Sequence, residues 1–206
     1  MSERRYGFLD VETTGLLPFH HDLVEIGLLI TNQELNTIAE WAVKVQPEAG
    51  EWQERASDIA LELNGYDPAV WAADGVRLRE GMHQLIRFKR AYISPTTDFR
   101  LVSQNNTFDF GFLLAGFHLA GVPMDAFKHK YWMDTMTLGD ALGFGRVGLS
   151  AMAKKFGLEP EPEVHRALNG ARLCREVFRK LKAGITWNEC KDQLELFSPD
   201  TEREAA

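Results

Sequence analysis

The first half of the chain has the hydrophobic spacing of β-strands. Three segments are short, apolar and rich in β-branched or aromatic residues, and so predict strands: 5–12 (RYGFLDVE), 22–31 (DLVEIGLLIT) and 37–46 (TIAEWAVKVQ). The polar residues 32–34 predict a hairpin turn between the second and third strands. Residues 47–75 are interrupted by prolines and glycines, which predicts one or two short helices there.

The second half of the chain alternates helices with short strands. The spacing of apolar residues predicts strands at 100–104 and 130–134, and helices at 78–92, 108–120, from 135 onward, 150–156 and 166–182. A capping-box spacing at Thr186 and Glu189 predicts a last helix to about residue 197, before a disordered tail at 198–206. This order predicts an α/β fold, a mixed sheet of about five strands with helices on both faces. We expect one domain at 1–182 and a C-terminal helix and tail at 183–206.

Composition and charge narrow the class of protein. The chain has 206 residues, of which 45% are apolar and 26% are charged, as is typical of a globular domain. No apolar run is long enough to cross a membrane, and residues 1–9 lack the core of a secretory signal. The cysteines Cys174 and Cys190 are isolated, which favours a cytoplasmic protein without disulfides. A net charge of −7 argues against binding nucleic acid through a broad basic surface, but not against gripping a strand end through bound cations.

The strongest candidate for chemistry is the sequence DVETTG at residues 10–15, where the first strand ends. Strand alternation places Asp10 and Glu12 on one face, roughly 6–7 Å apart. Two neighbouring carboxylates that are buried together repel each other and lose hydration, so they need a cation nearby. Hard oxygen ligands of this kind favour Mg²⁺ or Mn²⁺. The alternative is a solvated strand end with two unrelated acids.

Two further segments carry polar residues at the starts of helices. Asp109, in QNNTFDF, falls in the first turn of a helix, where an acid either complements the helix dipole or joins the first two carboxylates. Asn105 or Asn106 is the candidate cap of that helix. His165, in HRALNG, precedes the long helix and is either a surface residue or a general base, since the ordinary pKa of histidine suits proton transfer.

Together these motifs resemble the DEDDh family of 3′–5′ exonucleases, whose DnaQ-like and RNase T-like members share an RNase H-like fold. The resemblance covers about residues 5–182 and is carried by FLDVETTG, NNTFDFGFL and EVHRALNGARLC. It implies that three carboxylates, Asp10, Glu12 and Asp109, hold two Mg²⁺ or Mn²⁺ ions, and that His165 activates the attacking water. It also implies that the terminal nucleotide is held by Thr13, Thr14, Gly15, Leu16, Asn105 and Phe108, with Leu16 packing on a base.

The third motif departs from the family pattern. The family has His, four residues, then Asp, but the fifth residue after His165 is Gly170. A glycine inside a helix costs about 1 kcal/mol relative to alanine, so helix stability gives no reason for it. No acid near it in the helix replaces the missing one, because Glu176 faces another direction. We expect a site with a lost carboxylate to cleave poorly.

Two functions remain open from the sequence, and a third, weaker alternative is a structural domain with an incidental acidic pocket and no affinity for Mn²⁺. The first is a metal-dependent exonuclease that releases 5′-mononucleotides from the 3′ ends of single-stranded DNA or RNA, impaired by Gly170. The second is a module that binds strand ends or a protein without turnover; its weakness is that it would have no need of the intact Asp10, Glu12, Asp109 and His165. The sequence leaves open DNA or RNA preference, a polymerase partner and a homodimer.

Overall fold

The computed structural model describes residues 3–47, 50, 52–127 and 132–184. These residues contain a five-stranded sheet in the order β3-β2-β1-β4-β5. Its strands are β1 (Arg4–Thr13), β2 (Leu23–Thr31), β3 (Thr37–Lys44), β4 (Asp98–Ser103) and β5 (Trp132–Asp134). β2 is antiparallel to β1 and β3, whereas β4 runs parallel to both β1 and β5. The predicted mixed sheet and its hairpin are confirmed.

Eight α-helices accompany the sheet in the described residues. They are α1 (Trp52–Arg55), α2 (Asp58–Leu63), α3 (Pro68–Asp74), α4 (Leu78–Tyr92), α5 (Asn106–Leu119), α6 (Thr135–Ala141), α7 (Leu149–Lys155) and α8 (Ala167–Gly184). The region 47–75 forms three short helices rather than one or two. Pro68, one of the prolines that interrupt this region, occupies the first turn of α3, and Asp67 caps that helix by accepting the N–H of Ala69 at 2.8 Å.

The sheet is covered by helices on both faces, as predicted. Leu9 and Val11 of β1 pack with α4 and α5 in one core. Tyr6 and Phe8, on the opposite face, pack with α8 in a second core. Asp10 and Glu12 continue this second face, so β1 directs both acids toward the side of α8.

The start of α8 lies directly against β2 because residue 27 is a glycine. A Cβ at Gly27 would lie only 2.6 Å from the carbonyl oxygen of Ala167, which any larger side chain would displace. This close approach fixes the beginning of α8, and the residues before it, beside the end of β1.

The remaining predictions concern the C-terminal segment, the cysteines and the location of the protein. The predicted last helix, the tail and Cys190 lie outside the described residues, so the division at residue 182 stays a prediction. Cys174 is buried and free. None of the described helices is long and apolar enough to cross a membrane. A cytoplasmic location stays a prediction.

Candidate active site

Asp10 and Glu12 stand at the carboxyl end of β1, where the parallel strands β1 and β4 finish at the same edge of the sheet. Both side chains are half-buried, while Val11 between them is buried in the core on the other face. Burial raises the pKa of Asp10 well above its ordinary value, and the charges of Asp109 and Glu12 raise it further. Burial and the neighbouring charge of Glu25 raise the pKa of Glu12 to about 8.

Asp109 reaches this edge from the first turn of α5, which begins just after β4. Its side chain is almost fully buried, and its Oδ1 atom has no hydrogen-bond partner within the described part of the chain. Burial raises the pKa of Asp109 to about 8, against a smaller lowering by the backbone N–H of Val11. That N–H lies between the two acids of β1, so Asp109 and those acids share one site.

His165 lies on the same cleft, in the segment that leads into α8. The lining of this open cleft includes Asp10, Glu12 and His165. The backbone N–H of His165 donates to the carbonyl oxygen of Leu63 at 2.8 Å, which ties the segment to α2. The cleft therefore brings together an imidazole and carboxylates that are more than 150 residues apart in the sequence.

The residues predicted to hold a nucleotide divide into two groups. Thr13, Gly15, Leu16 and Phe108 line the cleft. The side chain of Thr14 is fully buried, and its hydroxyl accepts the N–H of Asp22 at 2.8 Å, so this side chain stabilises the turn. A contact of Thr14 with the nucleotide stays a prediction.

Asn105 is placed differently from the prediction. It stands before α5 in the left-handed conformation (φ 59°) and makes no side-chain capping bond to the helix. As far as the described residues define the cleft, its lining includes the neighbouring Gln104 and not Asn105. The side chain of Asn105 instead accepts from the Thr107 hydroxyl at 3.1 Å.

Sequence reasoning missed two acids near the site. Glu25 of β2 lies opposite Glu12 in the β1–β2 ladder and is buried, with Arg166 and Lys44 as its nearby cations. Glu161 lines the cleft from the loop before α8. Glu161 is nine residues from Gly170 along the chain but close to it in space, which a search for acids near position 170 in the sequence does not reveal.

Gly170 lies close to the carboxyl groups of Asp10 and Glu161. A Cβ at Gly170 would lie 3.1 Å from Glu161 Oε1 and 2.7 Å from the carboxyl carbon of Asp10. The space that an acidic side chain at position 170 would enter is thus bordered by two other carboxyl groups.

The donor set is suited to a hard divalent cation. Carboxyl oxygens predominate, and one of them is buried without a partner in the described residues. Burial raises the pKa values of Asp10, Glu12 and Asp109, and neighbouring negative charges raise those of Asp10 and Glu12 further. Among the described residues, no three His, Cys, Asp or Glu side chains are already arranged as a closed metal cage. A cation would therefore require small side-chain rotations of these acids.

Comparisons with known proteins place the chain in a family. It is 31% identical over 189 residues to ribonuclease T of Hahella chejuensis, covering 86% of this chain and 85% of the relative. It is 30% identical over 189 residues to ribonuclease T of Marinobacter nauticus, covering 86% of this chain and 84% of the relative. No protein-family model matches the chain.

A solved structure agrees with this assignment at the level of the fold. The nuclease domain of 3′hExo, a DEDDh family member bound to rAMP, superposes with a TM-score of 0.72 at 16% identity, covering 89% of this chain and 94% of that domain. The chain belongs to the DEDDh family of 3′–5′ exonucleases, the family of ribonuclease T.

Proposed function

We propose that this chain removes 5′-mononucleotides from the 3′ ends of single-stranded DNA or RNA in a reaction that depends on Mg²⁺ or Mn²⁺. The observation that carries the proposal is the meeting of Asp10, Glu12 and Asp109 at one edge of the sheet, with His165 on the same cleft. A structural domain with an incidental acidic pocket would not be expected to bury these charges so close together.

Asp10, Glu12 and Asp109 would hold the divalent ions. Bound there, such ions supply positive charge to the scissile phosphate and lower the pKa of a water molecule. The net charge of −7 is compatible with this role, because the local positive potential comes from the cations rather than from a basic surface.

His165 would accept the proton of the attacking water. Its imidazole borders the cleft, and the backbone bond to Leu63 limits how far the segment can move. A half-buried histidine on a cleft can exchange its proton with solvent after each turnover, which a general base requires.

The terminal nucleotide would lie on an apolar rim. Leu16 and Leu63 line the cleft with 77% and 46% of their surfaces exposed, and Phe108 lies beside them. Exposed apolar side chains next to a polar site are suited to contact unpaired bases without reading their sequence. The ribonuclease T relatives and the rAMP bound to 3′hExo favour RNA as one substrate.

A second candidate is a module that binds strand ends without cleaving them. Gly170 favours it, because the family's acid at this position is absent and a two-metal site tolerates the loss of a ligand poorly. We expect Gly170 to slow cleavage by this chain unless another carboxylate takes the place of the missing one.

The proposal is tested with 5′-labelled DNA and RNA oligonucleotides of one sequence, incubated with the full chain and Mg²⁺, Mn²⁺ or EDTA. We expect products shortened one nucleotide at a time from the 3′ end, with no cleavage in EDTA or by Asp10→Asn. Filter binding of the same oligonucleotides identifies the second candidate: retention without cleavage would support it, and neither cleavage nor retention would contradict both.

A further inference from the structure

The space next to Gly170 is filled by carboxyl groups from elsewhere in the chain. Gly170 is itself buried on the inner face of α8. The carboxyl carbon of Asp10 and Oε1 of Glu161 lie 2.7 Å and 3.1 Å from the position that a Cβ of residue 170 would take. Any larger residue at 170 would displace the Asp10 carboxyl group and come close to that of Glu161, so glycine leaves open the space that both groups border.

Glu161 is held by a stiff loop. It stands between Pro160 and Pro162 in the sequence EPEPE at residues 159–163. The first proline has a fixed φ, and the second restricts Glu161 to extended conformations. The backbone N–H of Glu161 also donates to the Ser150 hydroxyl of α7 at 3.3 Å. A side chain on such a loop loses little conformational freedom when it binds a ligand.

The three acids of this loop differ in their surroundings. Glu159 and Glu163 are exposed, whereas Glu161 is half-buried and lines the cleft together with Asp10 and Glu12. Alternation in an extended backbone would put residues 159, 161 and 163 on the same side, so it does not distinguish them. It is the path of this loop, which bends at residues 163–164, that brings only Glu161 to the cleft. The acid-rich composition of the loop does not by itself explain why Glu161, rather than Glu159 or Glu163, lines the cleft.

We propose that Glu161 supplies the fourth carboxylate of the metal site, entering from the loop before α8 in place of an acid on α8 itself. This inference rests on the proposed function. Glycine at 170 is then the complement of Glu161 rather than a defect, because it leaves room for the longer side chain to reach Asp10.

The unpartnered oxygen of Asp109 supports a ligand at this place independently of Glu161. Its Oδ1 is buried, has no hydrogen-bond partner in the described residues, and belongs to a carboxyl group whose charge acts on Asp10. A buried oxygen of this kind is costly unless a cation or donor binds it. The charges of both Asp109 and Glu161 therefore act on Asp10.

The proposal is tested by titrating Mn²⁺ into the metal-free full chain and its variants by calorimetry, with oligonucleotide cleavage as a second readout. We expect Glu161→Gln to weaken one Mn²⁺ site by at least about tenfold and to reduce cleavage. Glu159→Gln and Glu163→Gln, which remove the same charge from exposed positions of the same loop, should bind Mn²⁺ like the native chain. Thermal melting in EDTA confirms that each variant is folded.

Two further variants test whether a carboxylate at position 170 can replace the one at position 161. Gly170→Asp alone should bring no gain in Mn²⁺ affinity, because Glu161 already supplies the fourth carboxylate, whereas Glu161→Gln combined with Gly170→Asp should regain part of the affinity lost by Glu161→Gln. Native-like Mn²⁺ binding by Glu161→Gln would overturn the role of Glu161. The proposed function would survive that result if Asp10→Asn lost Mn²⁺, whereas a native chain that binds no Mn²⁺ would overturn both.

Discussion

Glu12 and Glu25 lie directly opposite each other in the antiparallel ladder of β1 and β2. Like charges in this arrangement destabilise a sheet, and burial makes the effect larger. Arg166 lies near both carboxylates and lowers their pKa values, but burial outweighs it, so both pKa values remain raised. The ionised pair therefore destabilises the folded state next to the proposed metal site.

We expect Glu25→Gln to stabilise the metal-free protein at pH 8, because the ionised form of Glu25 is disfavoured in the folded state and glutamine is neutral. The melting temperature should rise by a few degrees, roughly the effect of 1 kcal/mol in a domain of this size. The exposed Glu54→Gln is the matched control and should leave the melting temperature unchanged. A lower melting temperature for Glu25→Gln would show that its contact with Arg166 outweighs the repulsion.

The metal-free protein should be more stable at pH 5.5 than at pH 8. In the folded state Glu12 and Asp109 have pKa values of about 8, against ordinary values of 4.5 and 3.8. The folded state therefore binds protons more tightly than the unfolded state, and stability falls as pH rises from the ordinary values through about 8. Urea unfolding in EDTA at several pH values measures this. Equal stability across the interval would mean that these carboxyls are not held in a buried, like-charged site.

Mn²⁺ should reverse this pH dependence. A cation favours the ionised carboxylates, so its binding at pH 7 should release protons and raise the melting temperature more at pH 8 than at pH 5.5. Calorimetry in two buffers of different ionisation enthalpy counts the protons released. Asp109→Asn should release fewer protons, and a native chain that releases none would contradict the assignment of these acids as ligands.

Leu16→Ala should weaken substrate binding without changing the fold. Leu16 is 77% exposed on the rim of the cleft, so its removal costs little packing, whereas loss of its contact with a terminal base should raise KM up to about tenfold. The neighbouring Leu17→Ala, also exposed, is the control. A change in kcat alone would indicate that Leu16 acts on the reacting phosphate and not on the base.

Thr14→Val should destabilise the turn of the DVETTG motif. The Thr14 hydroxyl accepts the N–H of Asp22 at 2.8 Å, and valine leaves that partly buried N–H without this acceptor. We expect a loss of about 1–3 kcal/mol in the free energy of unfolding. Urea unfolding of Thr14→Val and Thr14→Ser separates the loss of the hydroxyl, which only valine shows, from the loss of the methyl group. Native-like stability of Thr14→Val would show that this hydrogen bond does not stabilise the turn.

Local patterns in the sequence predict the framework of the site. The alternation of β1 gives the shared face of Asp10 and Glu12, and the helix start after β4 gives the place of Asp109. These follow from short-range geometry, in which a side chain's direction depends on the element that carries it. The fold class is predicted for the same reason, since it depends on the order of these elements.

Long-range contacts could not be predicted in the same way. Glu161 lines the same cleft as Asp10 although it comes from the loop before α8, and its only signal in the sequence is the acid between two prolines. The pairing of Glu25 with Glu12 follows from the register of the hairpin β1–β2, which includes an irregularity between Glu12 and Thr13. Gln104 lines the cleft where Asn105 was expected. Asn105 itself has a left-handed backbone, a conformation that asparagine allows but that the sequence does not specify.

The most direct test of the central claim is a crystal structure of the full chain soaked in Mn²⁺, with anomalous scattering used to locate the ions. The account predicts Mn²⁺ within about 2.0–2.3 Å of carboxylate oxygens from Asp10, Glu12, Asp109 and Glu161. Ions bound elsewhere, or a site that stays empty while the carboxyl groups keep their present positions, would contradict it.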